Sequence, residues 1–329
     1  MTDLVKEKSG SKTVILLNGG LGNQLFGFAA ALYGNGDVEI LGGISSYSKN
    51  QSGLPQIFNL DVSKFANFRQ PKISMLSITK KTYNFFLISN LNVRKHWTFR
   101  FAKIAEFLFQ VSLNLLRSRP KLVVADDLGY VDIPKTGNMV LIGYFQSSKW
   151  MSVPKVREKM LSLFSKVDCE IDSILTEMQK TKPIVLHVRL GDYRNNQEIG
   201  VLPTTYFNNA LKLATYNDSN RPIWVFSDEP EAARNMLPLL QDYKCRFISE
   251  EMNLTAEQTL ALMRFGKKFI ISNSTFSWWA AALSEEKEPT VYFPNPWFAT
   301  GLTPRHLIPV GWIPVERDSL NSTKVQDLG

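Results

Sequence analysis

The stretch IVLHVRLGDY (184–193) opens as a strand-like run, IVLHV, and closes on Arg189, Gly191 and Asp192. Working outward from it, the second half of the chain keeps a regular rhythm. Further apolar runs lie at 223–226 (IWVF), 246–249 (RFIS), 268–272 (KFIIS) and 290–293 (TVYF). Helical patterns fall between them, near 204–215, 230–240, 255–264 and 276–286. Thr255 and Gln258 have the spacing of a capping box, which strengthens the third of these helices. Strands alternating with helices of this length predict an α/β protein with a doubly wound parallel sheet. Ligands of such sheets sit beyond the carboxyl ends of the strands.

The first half is less regular. It starts like a βαβ unit (14–17, 23–33, 38–41), passes through a basic aromatic segment, and has strand-like runs at 122–125 (LVVA) and 139–142 (MVLI). An acidic, helix-like stretch from 166 ends at Lys182-Pro183. The expected organisation is therefore an N-terminal domain at 1–165, a C-terminal domain at 166–315 and a tail at 316–329. Two α/β domains facing one another across a cleft is the expected architecture. At 329 residues the chain is long enough for two such cores. With 44% hydrophobic and 21% charged residues, it is neither disordered nor fibrous. Cys169 and Cys245 are too few for a disulfide framework and read as small core residues. The polar start MTDLVKEKSGSK lacks a signal-peptide pattern, so a cytoplasmic location is expected. No apolar run reaches the roughly 18–20 residues of a membrane span.

Four stretches could carry chemistry. NGGLGNQLFGF (18–28) looks like a turn from a buried strand into a helix. A dinucleotide fingerprint wants G-x-G-x-x-G with an acid about 20 residues later. Gly20-Leu21-Gly22 begins correctly, and Glu39 could pose as the acid, but Leu25 occupies the third glycine position. Asn23 and Gln24 sit where the helix begins, so their amides and the backbone N–H groups there could face hydroxyls or phosphates. The bland alternative is a glycine turn that only packs tightly. In the second stretch, strand alternation sends His187 and Arg189 the same way. A guanidinium there suits a diphosphate, because it presents a planar fork to phosphate oxygens. The alternative is an Arg–Asp pair closing the strand end. The third stretch is Phe226-Ser227-Asp228, again at a strand end. The fourth is ISNSTFSWW (271–279), in which Asn273, Ser274, Thr275 and Ser277 could supply donors to an anion at a helix N-terminus. Each is ordinary alone; three at one edge of one sheet are much less so. Trp278 and Trp279 read as residues that seat the helix on the sheet.

Absences narrow the chemistry. The sequence has no D-x-D pair to hold a metal on a diphosphate and no G-x-x-x-x-G-K-[ST] loop. Its three histidines, His96, His187 and His306, lie far apart, with no Cys/His cluster of ligand spacing. A leaving diphosphate would have to be stabilised by Arg189 and helix-terminus donors rather than a metal.

Taken together, GGLGNQLFGFAAAL, GYFQS (143–147), HVRLGDY, FSD and ISNSTFSWWAAAL, in that order, closely resemble the bacterial α-1,2-fucosyltransferases of glycosyltransferase family 11. The resemblance runs from about residue 14 to Trp312. It implies a GT-B fold, GDP-fucose as donor, a galactoside glycan as acceptor, inversion at the fucose carbon, and no cofactor or metal. It also implies a role in bacterial surface-polysaccharide synthesis, with the donor in the C-terminal domain and the acceptor mainly in the N-terminal one. By the same resemblance Arg189 stabilises departing GDP, with Asp192 and Asn23 the other residues assigned to the reaction. His187, Ser227, Asp228, Asn273, Ser274, Thr275, Phe276 and Ser277 would surround the donor. Gly20, Gly22, Gln24, Tyr144 and Gln146 would line the acceptor side. For Asp192, general base and salt-bridge partner of Arg189 are both open. Two departures stand out: Leu190 replaces the second arginine of the family's HVRRGDY, and Gly27-Phe28 replaces a common Gln-Tyr pair.

The net charge of +8 is uneven. Residues 72–121 hold ten Lys/Arg and one acid, Glu106, a net of +9, which leaves −1 for everything else. In FAKIAEFLFQVSLNLLR (101–117), Phe101, Ile104, Ala105, Leu108 and Leu115 share a helical face. Such a helix either lies in an anionic membrane surface or packs in the domain core with a solvated basic face. The first option would suit a lipid-linked acceptor and a peripheral place at the inner face of the membrane. No recognised nucleic-acid motif accompanies the basic run, so nucleic acid is not an expected partner.

Overall fold

The computed structural model describes residues 11–34, 36–41, 48–69, 121–125 and 128–317. The basic segment's expectations, including membrane contact, fall outside these residues except for Lys121. The chain forms two compact units. One comprises Met1–Leu163 with Pro304–Leu307, the other Phe164–Thr303 with Ile308–Gly329. The return of Pro304–Leu307 to the first unit has no signal in the local sequence.

In the first unit, β1 (Lys12–Leu16) leads into α1 (Leu21–Tyr33) and β2 (Asp37–Leu41). Then come β3 (Ala66–Arg69), β4 (Lys121–Val124), β5 (Met139–Ile142) and α2 (Pro154–Ser162). All pairings are parallel, in the order β3-β2-β1-β5-β4. The chain therefore lays β2 and β3 on one side of β1 and β5 and β4 on the other. The apolar face of α1, with Leu25, Phe28 and Ala29 fully buried, seats it in the core. Glu39 on β2 pairs with Lys12 of β1 and Arg69 of β3, so it ties neighbouring strands together rather than facing a ribose.

The second unit begins with α3 (Ser165–Glu170) and α4 (Asp172–Thr181), ahead of β6 (Ile184–Val188) and α5 (Thr204–Thr215). It continues through β7 (Ile223–Ser227), α6 (Pro230–Met236), β8 (Cys245–Phe247), α7 (Ile248–Glu251) and α8 (Ala256–Met263). Then follow β9 (Lys268–Ile270), α9 (Thr275–Ala282), β10 (Thr290–Asn295) and β11 (Ile313–Glu316). This sheet is also parallel throughout, in the order β11-β10-β9-β6-β7-β8. The expected capping box forms: Thr255 Oγ1 accepts from Gln258 N, and Gln258 Oε1 accepts from Thr255 N. Ile184, Leu186, Val188 and Leu190 share one hydrophobic cluster with Tyr206, Phe207, Ala210 and Leu211 of α5. Trp278 and Trp279 are fully buried on α9.

The α/β class and two parallel sheets agree with the GT-B organisation that the resemblance implies. β11 and the buried Arg317 carry ordered structure past residue 315, where the tail was expected to begin. Cys245 is half-buried, but Cys169 is exposed rather than a core residue. No helix among the described residues is long and apolar enough to cross a membrane.

Candidate active site

In the second unit the strand order reverses at β6, which has β7 on one side and β9 on the other. The carboxyl ends of β6 and β9 mark the switch point at which such sheets bind ligands. Register then decides who meets whom. Leu186 pairs with Ile270, so His187 comes beside the end of β9, and its Nδ1 lies 2.7 Å from Ser272 Oγ. Val188 pairs with Ser227, which brings Arg189 beside Asp228.

Arg189 is the hub of this corner. Its Nε and Nη2 donate to Asp192 Oδ1 at 3.1 and 2.7 Å, and its Nη1 lies 3.3 Å from Asp228 Oδ2. Burial works against its charge, but Asp228 and Asp192 more than offset that, so its pKa is raised. The two carboxylates differ. Asp228 is 22% exposed and anchored, because its Oδ1 accepts from Leu190 N at 3.0 Å. Asp192 is 70% exposed and is held by the arginine. Here Asp192 is a salt-bridge partner; its alternative reading as a base is not what this geometry displays. Gly191 makes room for the arrangement, since a Cβ there would sit 2.5 Å from Asp228 Oδ2. Tyr193 places its ring 5.6 Å from the guanidinium and donates its hydroxyl to Asn273 O at 3.4 Å. Leu190, at the family's second arginine position, packs into the core and puts no cation here.

His187 is buried, and its pKa is lowered to about 3 by burial first and the Arg189 charge second. It is therefore neutral near pH 7, with Nδ1 engaged by Ser272 and Nε2 the nitrogen left to act. This has a consequence for stability. The unfolded histidine titrates near 6.5, so between 6.5 and 3 the unfolded state binds the extra proton. Stability should be complete above pH 6.5 and fall as the pH drops from 6.5 toward 3. Urea titrations of wild type and His187→Asn across that range should show a shallower fall in the variant.

In the fourth motif, Ser277 and the Asn273 amide nitrogen turn inward. Ser277 is fully buried, and its hydroxyl is turned back on Ser272 O and Ser274 O at 3.4 and 3.2 Å. It locks the first turn of α9 instead of facing an anion. Asn273 spends Nδ2 on Ile199 O and Gly200 O at 2.9 and 3.0 Å, bracing a neighbouring loop. Ser274 caps α9 by accepting from Phe276 N at 3.3 Å. Thr275 and Phe276 are half-buried at the helix start, with the Phe276 ring 5.8 Å from His187. Ser227 accepts from Glu229 N at 3.1 Å, so its hydroxyl oxygen shapes the turn that holds Asp228.

The first unit has its own switch point, between β1 and β5. Gln24 is fully buried and corrects the expectation that it faces a ligand. Its Nε2 donates to Gly19 O and Ser48 O at 3.0 and 2.9 Å, and its Oε1 accepts from Ile57 N at 2.9 Å. Asn23 is half-buried, and its Oδ1 accepts from Gln146 Nε2 at 3.0 Å. Gly20 is exposed and caps α1, while Gly22 is buried on that helix. The glycine with a conformational need is Gly19, at φ +66°. Tyr144 is half-buried, and burial raises its hydroxyl pKa.

Ser272, Gly191 and Tyr193 were not singled out as site residues in the sequence. Ser272 lies one residue before the chosen quartet, and strand register is the signal that identifies it. Among the described residues, no three His, Cys, Asp or Glu side chains gather to hold a metal ion.

Comparison with known proteins now supplies the family. The model for glycosyl transferase family 11 matches residues 13–300. The chain belongs to glycosyl transferase family 11. As a member of family 11 it is a glycosyltransferase. The Escherichia coli O-antigen biosynthesis glycosyltransferase WbnK is 26% identical over 86% of this chain and 94% of its own length. An Escherichia coli alpha-1,2-colitosyltransferase is 24% identical over 93% of this chain and 100% of its own. Among solved structures, the fucosyltransferase NodZ from Bradyrhizobium is similar at 15% identity and a TM-score of 0.41, covering 83% of this chain and 92% of that one.

Proposed function

We propose that this family 11 enzyme transfers L-fucose from GDP-fucose, with inversion, to O2 of a terminal galactoside in bacterial surface-glycan synthesis. The observation that carries the reading is Arg189. It stands at the switch point of the second sheet, its charge secured by Asp228 and one edge covered by the exposed, displaceable Asp192. A sugar hydroxyl forms a bond to the anomeric carbon of fucose as the C1–O bond to GDP breaks; the β-phosphate leaves with the electron pair, and the hydroxyl's proton passes to that phosphate or to solvent. The guanidinium stabilises that charge without a metal. Neutral His187 contributes hydrogen bonding rather than charge. The α-1,2 linkage draws support from the relative that bears it in its name. That relative also favours a second reading, in which the sugar moved is colitose.

The test incubates the protein with GDP-fucose and a panel of β-galactosides, with and without EDTA, and reads product linkage by NMR. A β-galactoside-only product linked at O2, formed at the same rate in EDTA, is expected. Transfer of colitose but not fucose from the same nucleotide would move the assignment to the second reading. Gly191→Ala is a sharper probe of the site. Pushing Asp228 away from Arg189 should cut kcat/KM about tenfold while costing no more than about 1–3 kcal/mol of stability.

A further inference from the structure

We propose that Ser272 is a positioning residue: its hydroxyl donates to His187 Nδ1 and so holds the imidazole as an Nε2–H donor to an oxygen of the leaving diphosphate. His187 then assists the leaving group and is not the base that takes a proton from the attacking sugar.

Strand register makes the pair. Leu186 stands opposite Ile270 where β6 and β9 run side by side, so His187 and Ser272 follow just beyond that match. Nδ1 and Oγ lie 2.7 Å apart, although 85 positions separate the two residues along the chain. Ser272 is 1% exposed and His187 5% exposed, so bulk water does not settle which group donates. Among the described residues neither side chain has a second hydrogen-bond partner.

The direction of the bond follows from counting hydrogens. A neutral imidazole has one protonated nitrogen and one lone-pair nitrogen, and the serine hydroxyl has one hydrogen to place. If Nδ1–H donated to Ser272, the serine hydrogen would be buried without an acceptor. If Ser272 donates to Nδ1, no donor is left unmet there. A buried donor without a partner costs more than a hydrogen bond gains, so the second arrangement wins. Ser277 does not interfere, because its hydroxyl is turned to Ser272 O and Ser274 O. Nor does Arg189: its Nε and Nη2 donate to Asp192, and its Nη1 faces Asp228. The Phe276 ring, 5.8 Å away and inclined by 32°, flanks the imidazole from α9.

The tautomer decides what Nε2 can do. A diphosphate offers only acceptors here, so Nε2–H fits it, whereas a lone pair at Nε2 would face its oxygens unfavourably. The same tautomer has no lone pair free for the proton of an attacking hydroxyl, which excludes His187 as base. That the oxygen belongs to a diphosphate rests on the function proposed above; the direction of the Ser272–His187 bond does not.

The experiment is long-range 1H–15N NMR of the histidine rings on the full-length, 15N-labelled protein near pH 7. The sequence has three histidines, so the signals missing from His187→Asn assign the ring. Ligand-free wild type should show a protonated Nε2 and an unprotonated Nδ1 shifted by an accepted hydrogen bond. A protonated Nδ1, an averaged pair of tautomers or an imidazolium would each overturn the proposal, whatever the variants do. Adding GDP should move the Nε2 signal and leave Nδ1 unprotonated; GDP that binds without moving Nε2 would overturn the donor role. Ser272→Ala should remove the hydrogen-bond shift from Nδ1 and weaken GDP binding about tenfold, measured by calorimetry beside a thermal melt. Ser272→Thr, which keeps the hydroxyl, should restore both. A Ser272→Ala protein that melts like wild type and binds GDP as tightly would overturn the positioning role. A folded Ser272→Thr that binds no better than Ser272→Ala would overturn it too. A wild type that shows the Nε2–H tautomer but binds no GDP would instead defeat the function proposed above and leave the Ser272–His187 bond standing.

Discussion

Arg189→Ala is expected to lower kcat/KM by about three orders of magnitude, the scale on which removal of a dedicated charge-stabilising donor acts. The guanidinium is the only cation bonded to both Asp192 and Asp228 among the described residues, and Leu190 packs inward where the family commonly has a second arginine. Arg189→Lys should recover little, because an ammonium cannot offer Nε and Nη2 as a planar fork. Folding should survive both changes. Asp228 keeps its bond from Leu190 N, and Asp192 is mostly exposed and can turn to water. The measurement is kcat and KM with GDP-fucose, GDP affinity by calorimetry, and a thermal melt. If Arg189→Ala melts like wild type and turns over at a near-wild-type rate, the proposed mechanism is wrong.

Arg264→Ala should be the most destabilising single substitution proposed for this protein, by about 3–5 kcal/mol. The side chain is 1% exposed at the C-terminal end of α8. Its Nη2 donates to both oxygens of Asp168 at 2.8 Å, its Nη1 to Glu285 Oε1 at 3.2 Å, and its Nε to Ala261 O at 3.4 Å. The guanidinium also lies 4.5 Å from the Phe164 ring. Truncation strands Asp168, whose pKa is already raised by burial even though Arg264 pulls it down. Without the arginine that pKa rises further above the unfolded value of 3.8. A carboxyl raised on folding destabilises above its folded pKa and recovers as the pH falls through it. The deficit of the variant, measured by urea denaturation, should therefore shrink from pH 7 toward pH 4. A deficit independent of pH would place the loss in packing alone.

Local pattern carried far along this chain. Each of the five strand-like runs of the second half contains a strand, although Ile248 and Ser249 of the third open α7, and Thr255 with Gln258 made its box. The two strands missed are both edges. β3 reads ANFR and β11 reads IPVE, each short, partly polar and, in β11, interrupted by Pro314. An edge strand buries little and tolerates proline, so it leaves no apolar run to detect. Of the site, the stations were legible and the partners were not. His187, Arg189, Asp228 and the 271–279 stretch were visible as polar groups at strand ends. That Ser277, Asn273 and Gln24 turn their bonds inward was not.

The sequence by itself determined the alternation of strands and helices, and with it the parallel α/β class and the polar groups at the strand ends. It also placed the chain's motifs in family 11 order. Only the tertiary structure decided which strands are neighbours: β6 between β7 and β9, and β1 between β2 and β5. That choice pairs His187 with Ser272, Arg189 with Asp228 and Asn23 with Gln146. Periodicity is set by neighbours along the chain, whereas each of these pairs spans 39 to 123 positions. Their contact depends on strand order and register, which no local stretch encodes.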